Sequence, residues 1–220
     1  MAVVCIITAA GASRRLGHPK QLVRVNARVA SQVDGETLIE RSVRIAHQAG
    51  VERVLVVLGA HAQRIRQVLE ATGLRLTMLD NMRWQQGLST SITLGVEHAM
   101  ALPQCEGALL MVCDQPYLSS VHLQTLLRAF DAHQRQRIVA SGYDEIVGIP
   151  AIFPVASFPA LMELSGDAGA RSLLRSSDAK AGPVVVPCPA ASLDLDTPED
   201  EARLAQDGGL GDRRQTADEG

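Results

Sequence analysis

The chain has 220 residues, of which 46% are hydrophobic and 20% are charged, and its formal net charge is −3 at pH 7. These values exclude collagen-like, disordered and coiled-coil proteins and suit one large globular domain with a sizeable core. The near balance of charge and the aromatic content of 3% give no reason to expect a nucleic-acid or anionic-membrane partner.

Short apolar runs alternate with helical patterns along the chain. The predicted strands cover residues 3–8, 54–58, 74–79, 108–112, 138–141 and 184–186. The predicted helices cover residues 37–48 and 61–71, and three more begin near Ser89, Ser119 and Thr197. Several runs are apolar throughout, which indicates strands covered on both faces. This order predicts a doubly wound α/β domain with a mostly parallel sheet.

The two ends of the chain and one internal segment lack these patterns. Residues 1–10 contain no basic segment and lead into a glycine loop, so they predict a strand rather than a signal peptide. Residues 24–35 are polar and irregular and predict a surface excursion, whereas residues 206–220 predict a disordered tail after a domain over 1–205. No apolar stretch reaches the roughly 20 residues that span a bilayer.

Cysteine and histidine spacing does not support a zinc site. The cysteines at positions 5, 105, 113 and 188 form no Cys-x-x-Cys pair, and the six histidines form no His-Glu-x-x-His motif. The expected compartment is the reducing cytoplasm.

The most informative stretch is the loop after the first strand, where residues 9–20 read A-A-G-A-S-R-R-L-G-H-P-K. The small residues Ala9, Ala10 and Gly11 let a ligand approach the backbone, whose N–H groups can face phosphate. Arg15 and Lys20 add cations at the same end of the sheet, which favours a polyphosphate ligand. A simple βα turn with solvated charges is the alternative.

This loop resembles the A-A-G-x-S-x-R-x-G-x-x-K signature of nucleotidyltransferases with a glycosyltransferase-A-like fold. Later segments follow in the same family order, at residues 80–81, 87–92, 114–116, 148–150, 166–171 and 194–200. Over about residues 2–205 the chain is similar to the molybdenum cofactor cytidylyltransferase group of the molybdopterin nucleotidyltransferase family. The resemblance implies a three-layer αβα, Rossmann-like fold of the nucleotide-diphospho-sugar transferase type. The Ala-Ala-Gly form of the loop resembles the cytidylyl branch rather than the guanylyl branch.

Three aspartates are candidate metal ligands. Asp114 follows a buried strand, where a carboxylate suits Mg²⁺, although an aspartate before a proline can also simply form a turn. Asp194 and Asp196 lie two residues apart, on the same side of an extended chain, so spacing barely separates them. The family's D-x-D-T-P-E-D segment favours Asp196, whose alternative role is to begin a helix.

The resemblance assigns two further groups of residues. The candidate nucleotide-binding residues are Ala9, Ala10, Gly11, Arg15, Lys20, Asp80, Gly87 and Ser89. The candidate acceptor-binding residues are Gly148, Asp167, Gly169 and Arg171. The alternatives are that Ser89 and Asp167 simply cap helices and that Arg171 is an ordinary surface arginine.

The implied reaction transfers CMP from CTP to the terminal phosphate of molybdenum-molybdopterin and releases pyrophosphate. Arg15, Lys20 and Asp114 are the expected catalytic residues, and Mg²⁺ held by Asp114 and Asp196 is the expected cofactor. The acceptor phosphate is already anionic, so positioning and charge neutralisation suffice without a strong general base. The alternatives are another CTP- or GTP-dependent nucleotidyltransferase of the same fold, and a non-enzymatic factor that hands the cofactor to a molybdoenzyme.

Overall fold

A mixed seven-stranded sheet lies at the centre of the computed structural model, which describes residues 2–26, 35–167, 169–175 and 182–206. The strands are β1 (Ala2–Ala9), β2 (Arg24–Val25), β3 (Glu36–Thr37), β4 (Arg53–Leu58), β5 (Thr77–Asp80), β6 (Cys105–Val112), β7 (Val139–Tyr143), β8 (Ile146–Pro154) and β9 (Val184–Pro187). Their order in the sheet is β5-β4-β1-β6-β8-β7-β9, and β2 and β3 form a separate ribbon.

The sheet is mostly parallel, as the sequence predicts. β1 runs parallel to both β4 and β6, with Ile6 opposite Leu55 on one side and Leu110 on the other. β5 is parallel to β4 and β9 to β7, whereas β8 is antiparallel to both of its neighbours. The carboxyl ends of β1, β4 and β6 therefore meet at one edge, where the loops that follow them share a crevice.

Helices pack on both faces of the sheet and complete a three-layer αβα arrangement. They are α1 (Leu38–Gln48), α2 (Ala62–Ala71), α3 (Leu88–Ala101), α4 (Ser120–Ala132), α5 (Phe158–Met162) and α6 (Pro198–Gln206). Side chains of β1 alternate between the faces, because successive strand residues point in opposite directions. Cys5 and Ile7 join the core with α1, α2 and α4, and Val4 and Ile6 join the core with α3 and α5. None of the helices in the described ranges is long and apolar enough to cross a membrane.

Two helices begin with capping boxes that the sequence encodes locally. At α1, Thr37 Oγ1 accepts from Glu40 N, and the Thr37 N–H donates to Glu40 Oε2 at 2.7 Å. At α6, Asp200 N donates to Thr197 Oγ1 at 3.2 Å, and Asp200 Oδ2 accepts from Thr197 N at 2.9 Å. Asp200 Oδ2 also accepts from Asp196 N, so the second box fixes the backbone of a candidate metal ligand.

The structure differs from the predicted elements in four respects. β8 and the short helix α5 were not predicted, and the strand expected over 74–79 is Thr77–Asp80. Asp167 does not cap a helix, because the turn that follows is a five-residue 3-10 helix, Ala170–Leu174, with Gly169 at its N-cap position. A glycine there offers no side-chain oxygen to the first N–H groups.

The predicted surface excursion and the predicted tail lie partly outside the described residues. Arg24–Val25 pairs with Glu36–Thr37 as a ribbon, and residues 27–34 lie outside the described ranges. Gln206 is the last residue of α6, and residues 207–220 lie outside the described ranges.

Candidate active site

The site is built around one lysine that joins two aspartates distant in sequence. Lys20 Nζ donates to Asp114 Oδ2 at 2.5 Å and to Asp196 Oδ1 at 2.6 Å. Arg15 Nη2 donates to the other oxygen of Asp196 at 2.7 Å. The structure therefore brings together all four residues that the sequence predicts for catalysis and metal binding.

Burial makes this cluster electrostatically strong. Burial alone lowers the pKa of Lys20, but the charge of Asp114 and the hydrogen bonds that Lys20 donates to both aspartates outweigh it and raise the pKa above its ordinary value. Burial likewise raises the pKa of Asp196, and the hydrogen bonds and charges of Lys20 and Arg15 outweigh it and lower the pKa. Lys20 and Asp196 are consequently both charged at neutral pH.

Asp194 lies close by in a different environment. Leu195, which is fully buried, donates its N–H to Asp114 O at 2.8 Å and so fixes the segment against the end of β6. Asp194 Oδ1 is buried and has no hydrogen-bond partner among the described residues. Burial, followed by the charge of Asp114, raises the pKa of Asp194 to about 6. Of the two aspartates that spacing could not separate, Asp196 is the one paired with cations.

The carboxylates of Asp114 and Asp196 are the groups of this site that could hold a metal ion. Asp114 Oδ1 is buried and has no partner among the described residues. A free carboxylate oxygen beside a second carboxylate, Asp196, is the donor type that Mg²⁺ or Mn²⁺ prefers. Within the described part of the chain no group of three or more His, Cys, Asp or Glu residues could hold a metal. A divalent cation here would accordingly take its remaining ligands from phosphate and water.

Two adjoining clefts open at this edge of the sheet. The first-loop cleft, of about 430 Å³, is lined by Ala10, Gly11, Ala12, Ser13, Arg14, Lys20, Gln21, Trp84, Gln85, Gly87 and Ser91, among others. The second cleft, of about 230 Å³, is lined by Ile92, Leu110, Met111, Gln115, Ile149, Gly169, Ala170, Arg171 and Asp194, among others. Thr8, Leu88, Val112, Asp114 and Asp167 line both clefts. Asp114 therefore lies at their junction.

The start of α3 lies against the predicted acceptor segment. Gly87 has φ 113°, and a Cβ on it would lie 2.2 Å from the carbonyl carbon of Gly166, so only glycine fits. Ser89 N donates to Gly166 O at 3.1 Å, so only the hydroxyl of Ser89 could contact a ligand. The two segments predicted to bind separate substrates thus touch each other through their backbones.

Asp80 and Gly148 lie outside the described lining of both clefts. Asp80 forms two hydrogen bonds with Arg66 Nη2, at 2.7 and 2.8 Å. A Cβ on Gly148 would lie 2.4 Å from the hydroxyl of Tyr143, which in turn accepts a hydrogen bond from Arg171 Nη2 at 3.2 Å. Gly148 therefore makes room for the residue that holds Arg171.

Three polar residues of the site were not singled out from the sequence. Gln21 is buried under the first loop, Gln115 donates its Nε2 to Ile149 O and Ala191 O, and Tyr143 holds Arg171. Each glutamine directly follows a predicted catalytic residue, Lys20 or Asp114, and that adjacency was the available signal.

Nucleotidyltransferases combine an α/β sheet with a loop of small residues and with a lysine and carboxylates at one edge of that sheet. This protein has all of these features, since Lys20 is largely buried between Asp114 and Asp196. Residues 5–181 match the MobA-like NTP transferase domain, and the chain belongs to that family. The protein is a nucleotidyltransferase.

Similar proteins cover nearly the whole chain. Purine catabolism protein PucB of Bacillus subtilis (strain 168) is 30% identical over 211 residues, covering 90% of this chain and 93% of that protein. Nicotine blue oxidoreductase of Paenarthrobacter nicotinovorans is 29% identical, covering 92% and 96%. The crystal structure of Rv0371c from Mycobacterium tuberculosis has a TM-score of 0.72 at 27% identity, covering 94% and 99%, and a complex of Rv0371c with manganese has a TM-score of 0.69.

Proposed function

We propose that the protein transfers CMP from CTP to the terminal phosphate of molybdenum-molybdopterin and so forms the molybdopterin cytosine dinucleotide cofactor. The observation that carries the proposal is Lys20, held between Asp114 and Asp196 at the junction of two clefts. An acceptor phosphate oxygen would attack the α-phosphorus of CTP. The bond from that phosphorus to the bridging oxygen of the β-phosphate would break, and pyrophosphate would leave with the electron pair.

The first-loop cleft is the proposed site of CTP. Its small residues and backbone N–H groups suit the triphosphate. Lys20, which lines the cleft, and Arg15, which bonds Asp196 beside it, would meet the negative charge that grows on the leaving pyrophosphate. Lys20 is 17% exposed in its side chain and Arg15 is 71% exposed, so the lysine acts in the less solvated environment. We therefore expect Lys20 to contribute more to the chemical step than Arg15. The preference for CTP over GTP rests on the Ala9-Ala10-Gly11 form of the loop.

Asp114 and Asp196 are the proposed ligands of Mg²⁺. When bound, the cation would neutralise charge on the nucleotide phosphates. The unpartnered Oδ1 of Asp114 supports this assignment, and the manganese complex of the similar protein Rv0371c supports a divalent cation. Asp196 uses both oxygens on Lys20 and Arg15, so it would share one of them with the cation.

The second cleft is the proposed site of the acceptor. Asp167, Gly169 and Arg171 line it, and Arg171 offers a guanidinium to an anionic group. Gly148 would act through Tyr143 rather than by contact. A molybdoenzyme that receives the product is a further proposed partner, and the cytoplasmic location stays a prediction of the sequence.

The test is pyrophosphate release by the purified protein with Mg²⁺, CTP or GTP, and molybdenum-molybdopterin. We expect release with CTP that depends on the acceptor, together with a product whose mass includes CMP. Faster release with GTP would move the protein to the guanylyl branch. Release with CTP and a sugar phosphate alone would give it a different acceptor. Tight binding of the cofactor without release would favour a maturation factor.

A further inference from the structure

The side chain of Gln21 is buried directly beneath the first loop. It belongs to the short 3-10 helix Lys20–Leu22 and is 1% exposed. Its Nε2 donates two hydrogen bonds to loop carbonyls, to Ala9 O at 3.0 Å and to Gly11 O at 2.9 Å. Its Oε1 accepts from the hydroxyl of Ser13 at 3.5 Å. One amide group is thus shared among three positions of the loop.

The carbonyls of Ala10 and Ala12 are also held against neighbouring segments of the protein. Ala10 O accepts from Ala60 N at 3.0 Å, and Ala12 O lies 3.2 Å from Nε2 of His61. In contrast, the N–H groups of Gly11, Ala12 and Ser13 donate no hydrogen bond within the described part of the chain. These three residues all line the first-loop cleft.

Peptide geometry connects these two observations. In a trans peptide the C=O of one residue and the N–H of the next point in opposite directions. Holding Gly11 O against Gln21 therefore turns the Ala12 N–H away from the protein. Holding Ala10 O against Ala60 does the same for the Gly11 N–H. The loop consequently presents its donors to the cleft because its acceptors are fixed on the other side.

We infer that Gln21 is a positioning residue that orients the first-loop N–H groups toward the phosphates of the nucleotide. The inference rests on the proposed function in that it takes polyphosphate as the ligand, but it holds for either base. The role needs a neutral side chain with two N–H donors, which glutamine has and glutamate lacks. Gln21 also reaches Lys20, because Ser13 Oγ, which bonds Gln21, accepts from Lys20 N at 3.1 Å.

The test compares Gln21→Met, which keeps the length of the side chain, with a matched glutamine elsewhere. Gln124, on α4, donates a hydrogen bond to a single carbonyl, Gln48 O, at 3.0 Å. Gln124→Met is therefore the control. The probe is inorganic pyrophosphate with Mg²⁺, measured by calorimetry. We expect Gln21→Met to bind pyrophosphate roughly 10- to 100-fold more weakly, because hydrogen bonds to a charged group are lost. Gln124→Met should bind it like the unsubstituted protein.

A merely structural role would lower the thermal midpoint without this loss. The second measurement is a pyrophosphate titration of the unsubstituted protein followed by amide NMR. We expect the signals of Gly11, Ala12 and Ser13 to shift in the unsubstituted protein. The Ala12 signal, whose N–H Gln21 orients through Gly11 O, should stay in place in folded Gln21→Met. Pyrophosphate affinity retained by Gln21→Met, or loop signals that do not move in the unsubstituted protein, would overturn the inference. If Gln21→Met does not fold, loop signals that do not move in the unsubstituted protein still overturn the inference.

Because pyrophosphate contains no base and no acceptor is present, this outcome is independent of the proposed reaction. The proposed function alone would be refuted if pyrophosphate affinity depends on Gln21 but the protein never forms pyrophosphate from CTP. A protein that turns over CTP normally after Gln21→Met would refute the inference alone.

Discussion

The two clefts present opposite chemistry to a ligand. In the first-loop cleft, Ala10 O and Gly11 O accept hydrogen bonds from the surrounding protein, whereas the N–H groups of Gly11, Ala12 and Ser13 donate none within the described part of the chain. Lys20 also lines this cleft. Three of the residues that line the second cleft, Asp114, Gln115 and Asp194, each have a buried oxygen with no hydrogen-bond partner among the described residues, although Asp114 lines the first-loop cleft as well. One side is therefore rich in donors and the other is rich in unpaired acceptors.

This difference has an energetic consequence. A buried polar atom without a partner costs about 1–3 kcal/mol, so a ligand that meets these three oxygens would gain binding free energy from each. A cation at Asp114 would relieve part of that cost, and N–H or O–H groups of a ligand would relieve more. At the first-loop cleft, by contrast, the charged groups are already paired with each other, because Lys20 and Arg15 both form ion pairs with Asp196.

The largest effect should come from Asp114, which lies at the junction of the two clefts. Asp114→Asn removes a full charge from both the lysine and the proposed cation, so we expect pyrophosphate release to fall about 1,000-fold or more. The thermal midpoint should change little, because the amide can still accept from Lys20. Asp131→Asn is the control, since Asp131 is an exposed carboxylate paired with Arg135 at 2.7 Å. Normal turnover by Asp114→Asn would refute the metal assignment.

Lys20 tests the donor side alone. Lys20→Ala should slow single-turnover release about 100-fold, because the charge on the leaving pyrophosphate is no longer met. Lys20→Arg should recover only part of the rate, since a planar fork cannot occupy the position of an ammonium between two carboxylates. Arg15→Ala should have a smaller effect, in keeping with the exposure of Arg15. Equal rate losses for Lys20→Ala and Arg15→Ala would show that burial does not distinguish their roles.

Arg171 tests the second cleft alone. Arg171→Ala should raise the KM for the acceptor by roughly 10- to 100-fold, because a hydrogen bond to a charged group contributes about 1.5–3 kcal/mol. Affinity for CTP should hardly change. Asp167→Ala is the informative contrast, because Asp167 lines both clefts and should alter both constants. A collapse of CTP binding in Arg171→Ala would show that the segment belongs to the nucleotide site.

Local sequence predicted the elements that local interactions determine. The apolar runs predicted the parallel strands, and Thr197 with Asp200 predicted the start of α6. The run that forms β8 was missed because Gly148 and Pro150 interrupt its pattern, and only pairing with β6 and β7 makes it a strand.

The candidate site followed the same division. Residue type and the family resemblance selected Lys20, Asp114 and Asp196, although Lys20 and Asp196 are 176 positions apart. Sequence could not show that Gln21 supports the loop or that the Tyr143 hydroxyl accepts a hydrogen bond from Arg171. Nor could it show that Gly166 O accepts a hydrogen bond from Ser89 N. Those facts depend on which segments the sheet brings together, and no local pattern records them.

The smallest expected effects come from Asp194 and Asp196. Asp194 lines the second cleft, whereas Asp196 pairs with Lys20 and Arg15, and the pKa values of the two aspartates are shifted in opposite directions. The raised pKa of Asp194, about 6, means that its ionisation opposes folding. Asp194→Asn should therefore stabilise the protein above pH 6, by about 1–2 kcal/mol, with the gain vanishing below about pH 4. The pKa of Asp196 is lowered, so its charge favours folding above the unfolded pKa and that contribution is lost as the pH falls. Asp196→Asn should thus destabilise by about 0.5–1 kcal/mol at pH 7, a modest value because the pair is partly exposed. Denaturant unfolding from pH 4 to 7.5 without divalent cations measures both, and shifts of the same sign would contradict the assignment of the two aspartates to different sides.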